Sequence, residues 1–136
     1  TAPYDGIAEV LKACRRDGWR LAVISNKGQT AASALVKRFF GDLVEFTVGE
    51  SQGIRRKPAP DTLLQAMKKL GAHAGETFFI GDSEVDLQAA AAAGVQCLSC
   101  LWGFRDADIL KAAGAKHLYS TPAELLSGIL QLSPDK

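Results

Sequence analysis

At 136 residues, with 47% of side chains hydrophobic and 23% charged, the chain has the make-up of a single ordinary domain, residues 1–136, with room for a real core. Sixteen basic against fifteen acidic residues leave a formal net charge of +1, which gives no electrostatic case for nucleic acid as a partner. No apolar run approaches the ~20 residues that span a bilayer, and the opening TAPYDG lacks the basic start and apolar stretch of a signal peptide, so no membrane is implied and a cytoplasmic setting is expected.

Ile7, Val10, Leu11 and Cys14 form one helical stripe that stops at Gly18, so residues 6–17 read as an amphipathic helix. RLAVIS, residues 20–25, is a short β-rich run. Helical spacing returns at Ala32, Leu35, Val36 and Phe39, and LVEFTVG reads as a second strand. The loop ESQGIRRKPAP then leads to a helix with Leu63, Leu64, Met67 and Leu70 on its apolar face and Pro60 suited to its first turn. TFFIG is a third strand, the alanine-rich stretch closed by Gly94 a further helix, and VQCLSCLW a fourth strand. DADILKAAG and KHLYS predict a short helix and a short last strand. In TPAE, Thr121 can cap a final helix, with Pro122 at its first position and Glu124 completing a capping box.

Cys14, Cys97 and Cys100 are an odd and small set, which suits reduced thiols better than a disulfide framework. Cys97 and Cys100 fall in a strand, where residues three apart point to opposite faces, so they are expected to be small apolar fillers and not a metal or redox pair.

Strands alternating with helices predict an α/β fold: a three-layer, Rossmann-like parallel sheet with helices on both faces. In such sheets ligands bind beyond the carboxyl ends of the strands, so polar residues that follow strands are the candidates. Ser25 and Asn26 follow the first strand, Lys57 lies after the second, Asp82 and Asp86 follow the third, and residues 102–106 follow the fourth. A hydroxyl, a lysine and two carboxylates at one edge suit phosphate and Mg²⁺. Two carboxylates offer hard oxygens while leaving room for water and phosphate oxygens, and a lysine offsets phosphoryl charge. Other readings stay open residue by residue. Ser25 and Asn26 could form a turn before a helix, Lys57 could belong with Arg55 and Arg56 to a solvated loop face, and Asp82 could cap the next helix with Asp86 an exposed first-turn acid. His73 and His117 have no partners at ligand spacing and are expected at the surface or an edge.

The order VISNK, RKPAPD, FFIGDSEVD resembles the second, third and fourth motifs of the haloacid dehalogenase superfamily, in its phosphoglycolate-phosphatase-like branch. The likeness runs from YDG to TPAELL and includes the WGF after the last long strand. It implies a Mg²⁺-dependent phosphohydrolase acting on a small phosphorylated substrate through an aspartyl-phosphate. In that scheme Ser25 and Asn26 bind the phosphoryl group and Lys57 orients and neutralises it. Asp82 is the direct Mg²⁺ ligand and Asp86 holds metal-bound water or the lysine.

The resemblance also implies a nucleophilic aspartate in a DxDG motif on a central first strand, and no such motif stands in these 136 residues. At the DG pairs Asp5-Gly6 and Asp17-Gly18 the nucleophile's place falls on Pro3, with no strand before it, and on Arg15, inside a predicted helix. First strand and helical cap are thus expected to be missing together, and the chain by itself is expected to be inactive. The strands ending at Ser25 and Gly81 must then pair directly, or another chain must fill the gap. The alternative function is a non-catalytic binding or assembly module that completes its sheet with a partner strand or a second copy of itself. The isomer of the Lys57-Pro58 bond is left open by the sequence.

Overall fold

The computed structural model describes residues 6–50, 53–55, 57–101 and 107–132, with the side chains of residues 26–29 and of Glu50 outside that description. Helix α1, Ile7–Arg16, leads into strand β1, Ala22–Gly28, then helix α2, Gln29–Phe40, a short 3₁₀ turn and strand β2, Phe46–Glu50. Helix α3, Asp61–Leu70, strand β3, Phe78–Gly81, helix α4, Glu84–Ala93, and strand β4, Gln96–Cys100, follow. Helix α5, Ala107–Ala112, strand β5, His117–Tyr119, and helix α6, Pro122–Gln131, complete the series. No helix among the described residues is long and apolar enough to cross a membrane.

Local signals set many of these boundaries. Gly94 ends α4 in the left-handed conformation, φ 75°, where a Cβ would be strained. Thr121 caps α6, its hydroxyl accepting from the Glu124 amide at 3.1 Å, with Pro122 at the first turn as expected. The Glu124 carboxylate reaches one residue further back than a capping box requires and accepts from the Ser120 N–H at 2.8 Å. Pro60 is the N-cap of α3 and stands just outside the helix it was expected to begin.

The strands alternate their side chains between two cores. Leu98 and Cys100 of β4 join Val10 and Cys14 of α1 and Leu125 and Ile129 of α6 on one face. Cys97 packs instead with Leu63 and Met67 of α3 and Ala90 of α4 on the other, so the two cysteines do point apart. Small side chains on the inner face of α4 permit this close approach, and Ala89 and Ala90 are fully buried. Leu64 departs from the expected pattern: it is 45% exposed, because the apolar stripe of α3 is carried by Leu63, Ala66 and Met67.

Burial raises all three thiols, Cys14 and Cys97 to about 11 and Cys100 to about 12. A thiol whose value is raised in the fold contributes stability that is complete below its unfolded value of 9.0 and is lost as pH rises through the folded one. Unfolding free energies from urea titrations should therefore fall above pH 9, by up to ~1.4 kcal/mol per pH unit for each thiol, and Cys100→Ala should flatten that decline. An unchanged slope in Cys100→Ala would place the alkaline loss elsewhere.

The expected α/β architecture of parallel strands holds, and the sheet stands in two parts. β1 pairs in parallel with β2, and β3, β4 and β5 form a separate parallel sheet in that order. Among the described residues β1 and β3 do not pair. A cavity of about 670 Å³ lies between them, lined by Val23 and Ile24 from one strand and Phe79 and Ile80 from the other. Direct pairing of the two strands, one of the two outcomes expected from the sequence, does not occur. Two strand edges instead face an apolar slot in which Ile80 is 41% exposed.

Candidate functional site

The polar residues of the slot gather beyond Gly81, the last residue of β3. Gly81 pairs with Ser99 of β4, and the chain turns at once into α4 with Ser83 as N-cap. Asp82 therefore does not cap that helix. Asp86, in its first turn, is not an exposed surface acid either: it is buried, its side chain 6% exposed.

Asp86 is the centre of the arrangement. Its Oδ2 accepts from the backbone N–H groups of Asp82 at 2.9 Å and Ser83 at 3.2 Å, and the Ser83 hydroxyl donates to it at 3.3 Å. Its Oδ1 accepts from Lys57 Nζ at 2.7 Å. The lysine side chain is 16% exposed, and its ammonium lies 5.5 Å from the centre of the Phe79 ring, within range of a cation–π contact. The Lys57-Pro58 peptide is cis. A solvated loop face does not describe this lysine, whose charge is buried against a carboxylate and a ring.

Gly81 makes this possible. A Cβ at that position would overlap the Cβ, Cγ and Oδ2 atoms of Asp86, so only glycine leaves room for the acid under the strand end. Gly81, Ser83 and Phe79 are not among the candidates that stand out in the sequence. The pattern Ser83-x-x-Asp86 before an apolar run was an available signal for the reaching-back carboxylate.

Asp82 also lines the slot, and its carboxylate makes no hydrogen bond or ion pair among the described residues. The donor set fits a hard divalent cation in a limited way. Asp82 offers free oxygens, whereas Asp86 has both oxygens engaged, and among the described residues no three His, Cys, Asp or Glu side chains cluster.

Ser25 is half-buried and lies inside β1, not after it. Regular pairing with β2 holds through Ile24 opposite Val48 and then shifts register before Gly28 meets Glu50, so the residue sits where the ladder becomes irregular. Ile24, its neighbour, lines the slot beside Lys57, Asp82 and Asp86. The Asn26 side chain, Arg56 and residues 102–106 lie outside the described residues. His73 is exposed and His117 lies on the edge strand β5, as expected.

A family model for haloacid dehalogenase-like hydrolases matches residues 1–94. The chain belongs to this family. A phosphoglycolate phosphatase of Pseudomonas syringae pv. syringae is 30% identical over 99% of the chain and 50% of its own length. A solved structure from Lactobacillus delbrueckii subsp. bulgaricus, proposed to be a phosphoglycolate phosphatase, superposes with a TM-score of 0.91 at 38% identity, over 94% of this chain and 54% of that one. CbbY of Rhodobacter sphaeroides, crystallised with xylulose-1,5-bisphosphate, superposes with a TM-score of 0.75 at 28% identity, over 88% of this chain and 54% of that one. The haloacid dehalogenase-like chain thus spans about half the length of these relatives.

Proposed function

We propose that this haloacid dehalogenase-like chain supplies the phosphate- and metal-holding part of a Mg²⁺-dependent phosphomonoesterase site. The nucleophilic aspartate arrives on a strand from outside the 136 residues and fills the slot between β1 and β3. The observation that carries the reading is the buried Lys57–Asp86 pair at 2.7 Å, in the same slot that the Asp82 carboxylate lines.

Each residue then has one task. Lys57, aimed by Asp86 and the Phe79 ring, offsets the charge of the phosphoryl group. Ser25 donates its hydroxyl to a phosphate oxygen, with Asn26 as a second donor beside it. Asp82 is the residue that would hold Mg²⁺, and Asp86 acts by holding the lysine, since its own oxygens are taken. Mg²⁺, when bound, draws charge from the phosphate oxygens and orients them for displacement. Apolar side chains on both faces of the slot keep bulk water from these charges and strengthen them. The substrate is a small phosphorylated metabolite, in keeping with the relatives named for phosphoglycolate and with the sugar bisphosphate held by CbbY.

The test is hydrolysis of p-nitrophenyl phosphate with and without Mg²⁺. The 136-residue chain should show no turnover, and a chain extended by an apolar strand ending in DxDG should show turnover that disappears in Asp82→Ala. Turnover by the 136-residue chain itself, lost in Asp82→Ala, would overturn the proposal. A second reading, an assembly module without catalysis, draws on the edges of β1 and β3, unpaired with each other among the described residues, and on exposed Ile80. It requires a dimer or a captured strand, and a strict monomer at high concentration by light scattering counts against it.

A further inference from the structure

We infer that the exposed Arg55–Asp61 pair is a positioning clamp for Lys57. Arg55 and Asp61 bracket the loop that carries the lysine. The Arg55 backbone N–H donates to Asp61 Oδ2 at 3.1 Å, its Nε lies 3.1 Å from both carboxylate oxygens, and its Nη2 donates to Oδ1 at 2.8 Å. A guanidinium fork and a backbone amide on one carboxylate fix orientation as well as distance, which a point contact from an ammonium does not.

The two anchors differ in kind. Asp61 is the first residue of α3, whose Leu63 and Met67 are buried in the core, so its carboxylate rides on a rigid body. Arg55 belongs to no helix or strand and is 74% exposed at its side chain. The pair therefore ties Arg55 to the helix that follows, with Lys57 between them in the chain. An exposed ion pair adds little to the stability of a fold. Its effect here is local, because closing a short loop removes the conformations in which Lys57 would swing away from Asp86 and Phe79. Arg55 and Asp61 are positioning residues, since neither touches the slot. The consequence for phosphate rests on the function proposed above, whereas the clamp itself does not.

The experiment follows the Lys57 ammonium in the full 136-residue chain by nitrogen-15 spectra of lysine side chains at mildly acidic pH, with the signal assigned by its loss in Lys57→Arg. Arg55→Gln and Asp61→Asn should each speed hydrogen exchange of that ammonium by roughly fivefold, with Arg55→Lys between them and the parent, and the double variant no worse than either single one. The urea midpoint of Arg55→Gln should stay within error of the parent. Reductive methylation of Lys57, read by mass spectrometry, gives the same comparison. Unchanged exchange in Arg55→Gln overturns the inference, and so does a response confined to Asp61→Asn, which would mark an effect on the start of α3. Faster exchange in Arg55→Gln with unaltered binding of inorganic phosphate upholds the clamp and removes phosphate from the role of Lys57.

Discussion

Asp86→Ala is expected to cost about 3–5 kcal/mol of folding stability, the largest single loss in the site. The substitution strands the Lys57 ammonium in a position where its side chain is only 16% exposed, and it leaves the Asp82 and Ser83 amides without their acceptor. Breaking one partner of a buried pair is costly because the other charge stays desolvated, and the loss is a large share of the 5–15 kcal/mol that holds a domain together. Adding Lys57→Met should restore part of the loss by removing the unpaired charge, while the orphaned amides keep the remainder. Asp86→Asn should fall between, since one amide oxygen can still serve the backbone donors but the NH₂ group then faces the ammonium. Urea titrations of the four proteins decide the matter. If Asp86→Ala and the double variant unfold at the same midpoint, the ion pair does not carry the energy assigned to it.

Gly81→Ala is the second large expected effect, on the order of 3 kcal/mol, for one added methyl group. Alanine at a strand end ordinarily costs nothing, and glycine there carries an entropic penalty that alanine would relieve by about 0.5–1 kcal/mol. Steric overlap with Asp86 outweighs that gain. Gly81 is held in register opposite Ser99, which is 1% exposed, so the strand has little room to retreat. Asp86 is the group that must move, and moving it breaks the contacts to Lys57, Asp82 and Ser83. The Lys57 ammonium signal should shift together with the loss of stability. In an Asp86→Gly background the Gly81→Ala penalty should shrink, and a penalty of unchanged size would show that the crowding is not with Asp86.

Much of the architecture was legible because it is local. Gly94 as a left-handed helix end, Thr121 as a cap, the alternation that sends Cys97 and Cys100 to opposite cores, and the alanine face of α4 all follow from short-range stereochemistry or periodicity. The order of motifs sufficed to bring Lys57, Asp82 and Asp86 forward as one group. The resemblance gave them different roles, Asp82 on the metal and Asp86 on metal-bound water or the lysine, and left open which of the two Asp86 holds. In the structure Asp86 is engaged by four donors, Lys57 among them, while the Asp82 carboxylate makes no hydrogen bond or ion pair among the described residues.

What the sequence by itself determined is the succession of strands and helices, their caps, and the residue types gathered at the strand ends, since each of these depends on neighbours within a turn or two of chain. Only the tertiary structure decided the rest. It set Lys57 on Asp86 across 29 residues of chain, left Leu64 outside the core, and carried β1 past Ser25. It also set β1 and β3, which do not pair with each other among the described residues, on either side of an apolar slot. The physical reason is the same in each case. Pairing of distant strands and burial of a charge are settled by which surfaces meet, and that depends on packing over the whole chain, which no short stretch encodes.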